Sequence, residues 1–106
     1  MAEKEGSIIL DSDFLNWKWF KDAKTMHVFM WLLCEANLKE SHFDNYVVKR
    51  GEVVTKNETI ATACGLKIQN VRKALANLQS SGDITRQRLR HNQLITVTNF
   101  DSYIED

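Results

Sequence analysis

Proline is absent from this chain of 106 residues, and glycine occurs only four times, where the hydrophobic pattern changes. A chain without proline-rich or glycine-rich stretches holds no low-complexity linker and no collagen-like repeat. No apolar run approaches the roughly 18 residues that a membrane-spanning helix needs. The first residues, MAEKEGS, carry mixed charge with no apolar segment after them, so we expect no signal peptide, no membrane partner and a cytoplasmic protein. We expect residues 1–6 to be disordered.

Cysteine and histidine are scarce as well. Cys34 and Cys64 lie inside apolar helical patterns and form no C-x-x-C pair, which is typical of buried thiols in a cytosolic protein. The three histidines do not combine with cysteines at zinc-binding spacing. No G-x-x-x-x-G-K-[ST] phosphate loop occurs. We therefore predict that the protein is not an enzyme and binds no metal and no cofactor.

The net charge is zero, which argues against a protein that coats nucleic acid indiscriminately. The charge is nevertheless unevenly distributed. Residues 1–45 sum to −3, residues 65–93 hold six basic side chains and one acidic side chain, and residues 94–106 sum to −3. A local cluster of positive charge, rather than the total, sets the field that a phosphate backbone would experience.

Two helices are predicted in the first 37 residues. Residues 11–22 begin with aspartate and serine caps and carry aromatic side chains at helical spacing, which predicts a short helix. Asp22 can cap a second helix that runs to about residue 37. Val28, Trp31 and Leu32 widen its apolar arc well beyond one stripe, so it is buried on more than one side. It is either a central helix or the contact of a homo-oligomer through these three residues.

Two short β-prone runs, 46–48 and 52–54, surround a turn signal at residues 49–51. Thr55 and Glu58 have the spacing of a capping box, which predicts a helix from about Lys56 to Cys64. Gly65 follows as its left-handed terminating residue.

The next helix is predicted from about Lys67 to Ser80, with its apolar side chains on one side and Gly82 after its end. The polar side chains of its outer face and N-terminal end are candidates for contact with DNA bases: Lys67, Gln69, Asn70, Arg72, Lys73 and Asn77.

Residues 84–90 and 93–100 are β-rich and predict a hairpin with His91 at its tip. Arg86, Arg88 and Arg90 recur at period two and so are expected to share one face. Ile84 has the same parity, which conflicts with a place in the core unless a twist or bulge occurs near Thr85.

This order of elements predicts an α+β, mostly α, fold. It is a single winged helix-turn-helix domain over 7–106, with an N-terminal helical extension, the helix-turn-helix at about 56–80 and a C-terminal β-hairpin wing at about 84–99. The second helix of such a unit fits the major groove, where Gln and Asn pair with adenine and Lys and Arg with guanine. The arginines and His91 of the hairpin would contact phosphates or the minor groove. The alternative is a solvated helix face beside an edge strand that its charges protect from aggregation.

The sequence also resembles a known family over nearly its whole length. The matching pieces are residues 7–37, 47–85 and 94–106, with the pair Trp17 and Trp19, the dipeptide Arg50-Gly51, the turn SGDI at 81–84 and the closing VTNFDSY at 97–103. They are similar to the N-terminal winged-helix domain of phage replisome-organiser and DnaD-like primosome proteins.

The resemblance implies a role in replication initiation inside a bacterial or phage-infected cell. It implies binding to DNA, double-stranded by our expectation, self-association, and a helicase loader or helicase as partner. Two other functions remain open: a winged-helix transcription regulator, and a winged-helix interaction or oligomerisation module that does not bind DNA.

Overall fold

Local capping decides where the first long helix begins. The Asp22 carboxylate accepts a hydrogen bond from the backbone N–H of Thr25 at 3.1 Å, which satisfies one of the donors that a helix leaves open in its first turn. The computed structural model, which describes residues 6–106, has helix α1 at Ala23–Glu35. A 3₁₀ helix at Ser12–Asn16 begins in the same way, with the Asp11 carboxylate capping the N–H of Asp13. The helix predicted at 11–22 is therefore present in a shorter form.

Helices α2 at Asn57–Cys64 and α3 at Ile68–Ser80 follow, close to the predicted bounds. Gly65 ends α2 at φ 66°, in the left-handed region that glycine adopts without strain. The predicted capping box is wrong. Thr55 is buried in a strand, and the N-cap position belongs to Lys56, which makes no side-chain capping bond within the described residues.

Seven short strands pair antiparallel in three small sheets over residues 6–106. Strand β1 (Ser7–Ile8) pairs with β7 (Ile104–Glu105), and β2 (Ser41–Phe43) pairs with β3 (Tyr46–Val48). The third sheet has the order β4 (Glu52–Thr55), β6 (Gln93–Val97), β5 (Ile84–Arg88). The two predicted β-prone runs thus form strands, but β3 and β4 pair with different partners rather than with each other.

Helix α1 is the centre of the core. It packs against α3 and α2, and its buried side chains meet those of both helices and of the three-stranded sheet. The largest buried apolar side chains come from all of these elements: Phe29, Leu32, Leu33, Ile60, Leu75, Leu78, Ile84 and Ile95. The architecture is therefore a mixed α+β fold in which helices provide most of the core.

Two tryptophans from the N-terminal segment hold the turn that follows α3. The indole N–H of Trp17 donates to the Asp83 carboxylate at 3.1 Å, and the indole N–H of Trp19 donates to Ser81 Oγ at 2.9 Å. The Ser81 hydroxyl also donates to the second Asp83 carboxylate oxygen. Half-buried polar side chains that satisfy one another in this way fix the direction in which the chain leaves α3.

Arg50 joins the C-terminal segment to the body of the fold. Its guanidinium donates to Asp101 at 2.7 Å, to both Asp106 carboxylate oxygens at 2.8 and 3.1 Å, and to the Leu38 carbonyl at 3.1 Å. It also lies over the ring of Phe100, 5.4 Å from the centroid. The Arg50 hydrogen bond lowers the pKa of the Asp106 carboxyl.

The two cysteines, both predicted to be buried, differ in exposure. Cys64 is buried, and burial raises the pKa of its thiol, whereas Cys34 is exposed, contrary to the prediction. Residues 1–5, for which disorder is expected, lie outside the described residues. Gly6 is half-buried, and a Cβ there would come within 2.9 Å of Leu38. In the part of the chain from Gly6 onward, no helix combines the length and apolar character needed to cross a membrane.

The contact between Arg50 and Asp106 makes stability depend on acid pH. Because the pKa of Asp106 is lower folded than unfolded, the stabilisation is present above the unfolded value of about 3.9 and is lost as pH falls through the folded value. We expect Arg50→Met to lower the urea midpoint at pH 7, and we expect the difference from the parent chain to shrink as the pH falls below about 3.9. Arg88→Met, at an exposed position, is the control. Equal pH dependence of the parent and Arg50→Met would contradict this account.

Candidate nucleic-acid interface

Helix α3 has one buried side and one exposed side. Val71, Ala74, Leu75 and Leu78 are buried against the core. With 100° per residue, the opposite side of the helix is centred near Gln69 and Ala76. The α3 outer face, as we define it, consists of five exposed residues: Gln69, Arg72, Lys73, Ala76 and Ser80. Ala76 and Ser80 were not predicted as site residues, although their short side chains allow close approach to the helix backbone.

The two asparagines of α3 do not belong to this face. Asn77 is half-buried, and its amide donates to Thr25 Oγ1 at 3.1 Å and to the Asp22 carboxylate at 3.4 Å. The expectation that Asn77 flanks the outer face is therefore wrong, because this side chain connects α3 to the start of α1. Asn70 lies seven residues earlier, about two helical turns, on the same side of the helix, and is half-buried.

Lys67 precedes α3 at the N-cap position. Its backbone is extended, its side chain is exposed, and it makes no side-chain capping bond with any described residue. The N–H of Asn70 donates to the Lys67 carbonyl at 3.0 Å, whereas those of Ile68 and Gln69 receive no cap from the Lys67 side chain and point out of the helix end. A helix N-terminus of this kind, next to a lysine, favours an anionic group.

The hairpin of β5 and β6 carries the predicted arginines. Its register is continuous from Ile84–Val97 to Arg88–Gln93, with no bulge. Ile84, Arg86 and Arg88 therefore share one face, and no bulge is needed to place Ile84 in the core. Ile84 lies over the core, whereas the same face of the strand extends beyond the edge of the core toward the hairpin tip, where Arg88 is exposed. Arg86 is half-buried, and its Nε donates to Gln79 of α3 at 2.9 Å.

Arg90 and His91 belong to the hairpin loop rather than to a strand. The loop spans residues 89–92 and is closed by a hydrogen bond from the N–H of Leu89 to the carbonyl of Asn92 at 2.8 Å. Leu89 is buried, whereas Arg88, Arg90 and His91 are exposed. The expected single face of three arginines therefore holds for Arg86 and Arg88, and Arg90 continues the positive charge onto the loop.

An open polar groove of about 690 Å³ separates this hairpin from the start of α2. Its charged lining residues are four cations and one carboxylate: Lys56, Arg86, Arg88, Arg90 and Glu58. Gln93 Nε2 donates to Asn57 Oδ1 at 2.6 Å and so fixes the hairpin to the first turn of α2. Sequence reasoning missed Lys56 and Asn57, since no local pattern indicates that the start of α2 faces the hairpin.

Gln79 connects the groove to α3. It lies seven residues after Arg72 and so is on the same side of the helix, and it accepts the hydrogen bond from Arg86. The cations of the α3 outer face and those of the groove therefore meet along one edge of α3. Within residues 6–106, no cluster of three or more His, Cys, Asp or Glu side chains is arranged to hold a metal ion.

Two of the three residues of the predicted oligomer contact are not on the surface. Val28 and Leu32 are 0% exposed, inside the core of the chain itself, so they cannot meet a second copy without unfolding. Trp31 is half-buried and packs against the same core. The wide apolar arc of α1 is explained by the elements that cover it on more than one side, which is the central-helix alternative.

The placement of Asn77 gives a test of which α3 residues are structural. We expect Asn77→Ala to lower the free energy of unfolding by about 1–3 kcal/mol, because buried Thr25 Oγ1 loses its partner. Lys73→Ala, on the exposed side, should change it by less than about 0.5 kcal/mol. Urea denaturation followed by circular dichroism measures both. Equal effects of the two variants would show that Asn77 has no structural role.

Comparison of the chain with protein-family models, with curated proteins and with solved structures gave no match.

Proposed function

We propose that this chain is a winged helix-turn-helix that binds double-stranded DNA. In this proposal α2 and α3 are the helix-turn-helix, α3 enters the major groove, and the hairpin of β5 and β6 is the wing. The observation that carries the proposal is the joined positive surface of the α3 outer face and the groove beside the hairpin. It occurs in a chain whose net charge is zero, so the positive charge is concentrated on one side.

The order and spacing of the elements support this assignment. Two helices joined by a tight glycine turn, followed by a β-hairpin, are the parts that a winged helix-turn-helix requires. The second helix has an apolar side that faces the core and an exposed side where the small residues Ala76 and Ser80 lie beside Gln69. Such a helix can approach a groove floor closely while its longer flanking side chains reach outward.

The side chains on the outer face have the chemistry of base recognition. Gln69 can form a bidentate pair with adenine, and Arg72 and Lys73 can donate to the O6 and N7 atoms of guanine. The amide of Asn77 is hydrogen-bonded to Thr25 of α1, so Asn77 does not belong to the surface that we propose to read bases. We retain Asn70 only as a flanking residue, because it is half-buried.

The wing is proposed to contact the phosphate backbone. Arg88, Arg90 and His91 are exposed near its tip, and Lys56 faces them across the groove. Phosphate contacts of this kind position a protein on the duplex without reading sequence. Arg86 is assigned a different role, since its hydrogen bond to Gln79 fixes the angle between the wing and α3.

The biological setting is proposed from the resemblance to phage replisome-organiser and DnaD-like proteins. It is replication initiation in a bacterial or phage-infected cell, with a helicase loader or helicase as partner. Regulation of transcription by the same surface is the alternative within DNA binding. The interaction-module alternative loses the support that it drew from Val28 and Leu32, because both are buried.

The salt dependence of binding tests the proposed surface. Fluorescence anisotropy of a labelled random-sequence duplex, titrated at several salt concentrations, gives the affinity and the slope of its logarithm against that of salt. We expect Arg88→Ala with Arg90→Ala to weaken binding and to reduce the slope by about two, since each phosphate contact contributes about 0.9. Arg72→Ala with Lys73→Ala should also weaken binding.

The matched control removes two lysines beside the β2–β3 hairpin, Lys39 and Lys49, which are exposed and lie outside the proposed surface. Lys39→Ala with Lys49→Ala changes the net charge by the same amount and should leave the slope unchanged. If the two double variants lose affinity equally, total charge rather than this surface drives binding. If the parent chain does not bind at low salt, non-specific DNA binding is excluded.

A further inference from the structure

A second pocket lies away from the positive surface, between the 3₁₀ helix Ser12–Asn16 and the C-terminal segment. It is an open pocket of about 390 Å³. The aromatic part of its lining comes from Phe14, Trp17 and Tyr103, and Asp11 and Asp13 supply its charge. This combination of aromatic rings and carboxylates is unlike the groove near the hairpin, and it is not used by the proposed contact with DNA.

The aromatic walls are held in place by their neighbours. Phe14 and Trp17 stack with ring centroids 5.0 Å apart, and Tyr103 meets Phe14 edge-on at 6.5 Å and Phe29 at 5.4 Å. The Trp17 indole is further fixed by its hydrogen bond to Asp83. The pocket walls are therefore ordered before any ligand binds, which reduces the entropy that binding would cost.

The two carboxylates are exposed and only partly used. Asp11 Oδ1 accepts from the N–H of Asp13, and Asp13 Oδ1 accepts from the Asn16 side chain, both at 2.9 Å. For the residues that the structure describes, the hydrogen bonds of Asp11 and Asp13 account for one oxygen of each carboxylate. The second oxygens can accept from a cationic donor, and the pair would repel a phosphate.

The segment that lines the pocket also carries exposed aliphatic side chains, of which Ile9 is itself a lining residue. Ile9, Leu10 and Leu15 are 45%, 43% and 65% exposed. Large apolar side chains grouped beside polar residues mark surfaces that contact other proteins. A small organic cation would leave these side chains uncovered, whereas a polypeptide with a basic residue between apolar ones would cover them.

We propose that this pocket binds an arginine or lysine side chain from a partner polypeptide. The aliphatic stem would lie against Phe14, Trp17 and Tyr103, and the cation would reach Asp11 and Asp13. Cations bind favourably over aromatic faces, and guanidinium pairs with carboxylates through geometrically matched hydrogen bonds. The two carboxylates favour a partner segment that carries a basic residue. The adjacent aliphatic side chains favour a segment in which apolar residues flank that basic residue. This inference does not depend on the proposed DNA contact.

The three tryptophans allow a site-specific test by NMR of the ¹⁵N-labelled chain. The probe is the peptide acetyl-Gly-Leu-Arg-Leu-Gly-amide, and its counterpart has citrulline, which has nearly the same shape without the charge, in place of arginine. We expect the indole resonance of Trp17 to shift with the arginine peptide, and those of Trp19 and Trp31, which do not line the pocket, to stay unchanged. The citrulline peptide should bind roughly tenfold more weakly.

Two matched double variants compare the loss of the carboxylates at the pocket with the loss of two carboxylates elsewhere on the surface. Asp11→Asn with Asp13→Asn keeps the Oδ1 acceptor of each side chain, and asparagine is a good N-cap, so the 3₁₀ helix should persist. The affinity for the arginine peptide should fall roughly tenfold. Asp44→Asn with Glu40→Gln removes two exposed charges elsewhere, and Asp44 has φ 51°, which asparagine tolerates. This control should bind the peptide like the parent chain.

Three results would overturn the proposal. The first is no Trp17 shift at millimolar arginine peptide. The second is equal binding of the citrulline peptide, or equal binding by the Asp11→Asn/Asp13→Asn variant, either of which would indicate apolar docking only. The third is a Trp17 shift that depends on protein concentration without peptide, with dimers in sedimentation velocity, which would make a second copy the occupant.

Discussion

The hydrogen bonds from Trp17 and Trp19 to the turn at residues 81–83 help to set the direction in which the chain enters the β5–β6 hairpin. They close loops of more than 60 residues, and they join the N-terminal aromatic segment to the end of α3. The same turn is where β5 begins, and Asp83 also raises, after the larger effect of burial, the pKa of Tyr103 in the C-terminal segment. This turn, together with the hydrogen bonds from Arg86 to Gln79 and from Gln93 to Asn57, fixes the direction of the β5–β6 hairpin and the position of its arginines relative to α3.

Helices were predicted well because their signals are local. Asp22 caps α1, Gly65 and Gly82 follow the other two helices, and the apolar period of α3 is unambiguous. The pairing of β5 with β6 was predicted, because a hairpin joins neighbouring segments, whereas pairing between distant strands was not. Nothing in Ser41–Phe43 alternates in polarity, so β2 was missed, and β4 found its partner in β6 more than 35 residues later. Thr55 matched a capping box by spacing alone and is instead buried in β4.

The candidate sites show the same division. Exposure of Lys73 and Arg88 follows from their own periodicity and was predicted. The buried state of Val28 and Leu32, and the contact of Asn77 with Thr25, depend on which elements cover α1, and a helical wheel has no information about that. The groove partners Lys56 and Asn57 and the pocket formed by Asp11, Phe14 and Tyr103 combine residues from distant parts of the chain. Such sites become visible only when the tertiary structure is known.

The pairing of β1 with β7 has a consequence for the connectivity of the chain. Ser7 and Glu105 are directly opposite each other in an antiparallel ladder, where Cα atoms are about 4.5–5.5 Å apart. A linker of a few residues between 106 and 6 would therefore span a short gap, and the chain could be reopened at the exposed turn of Asp44 and Asn45. In that circular permutant the hydrogen bonds from Arg50 to Asp101 and Asp106 would lie inside the chain and would no longer hold a C-terminal segment. The same proximity means that force applied to these two strands would separate them one residue pair at a time.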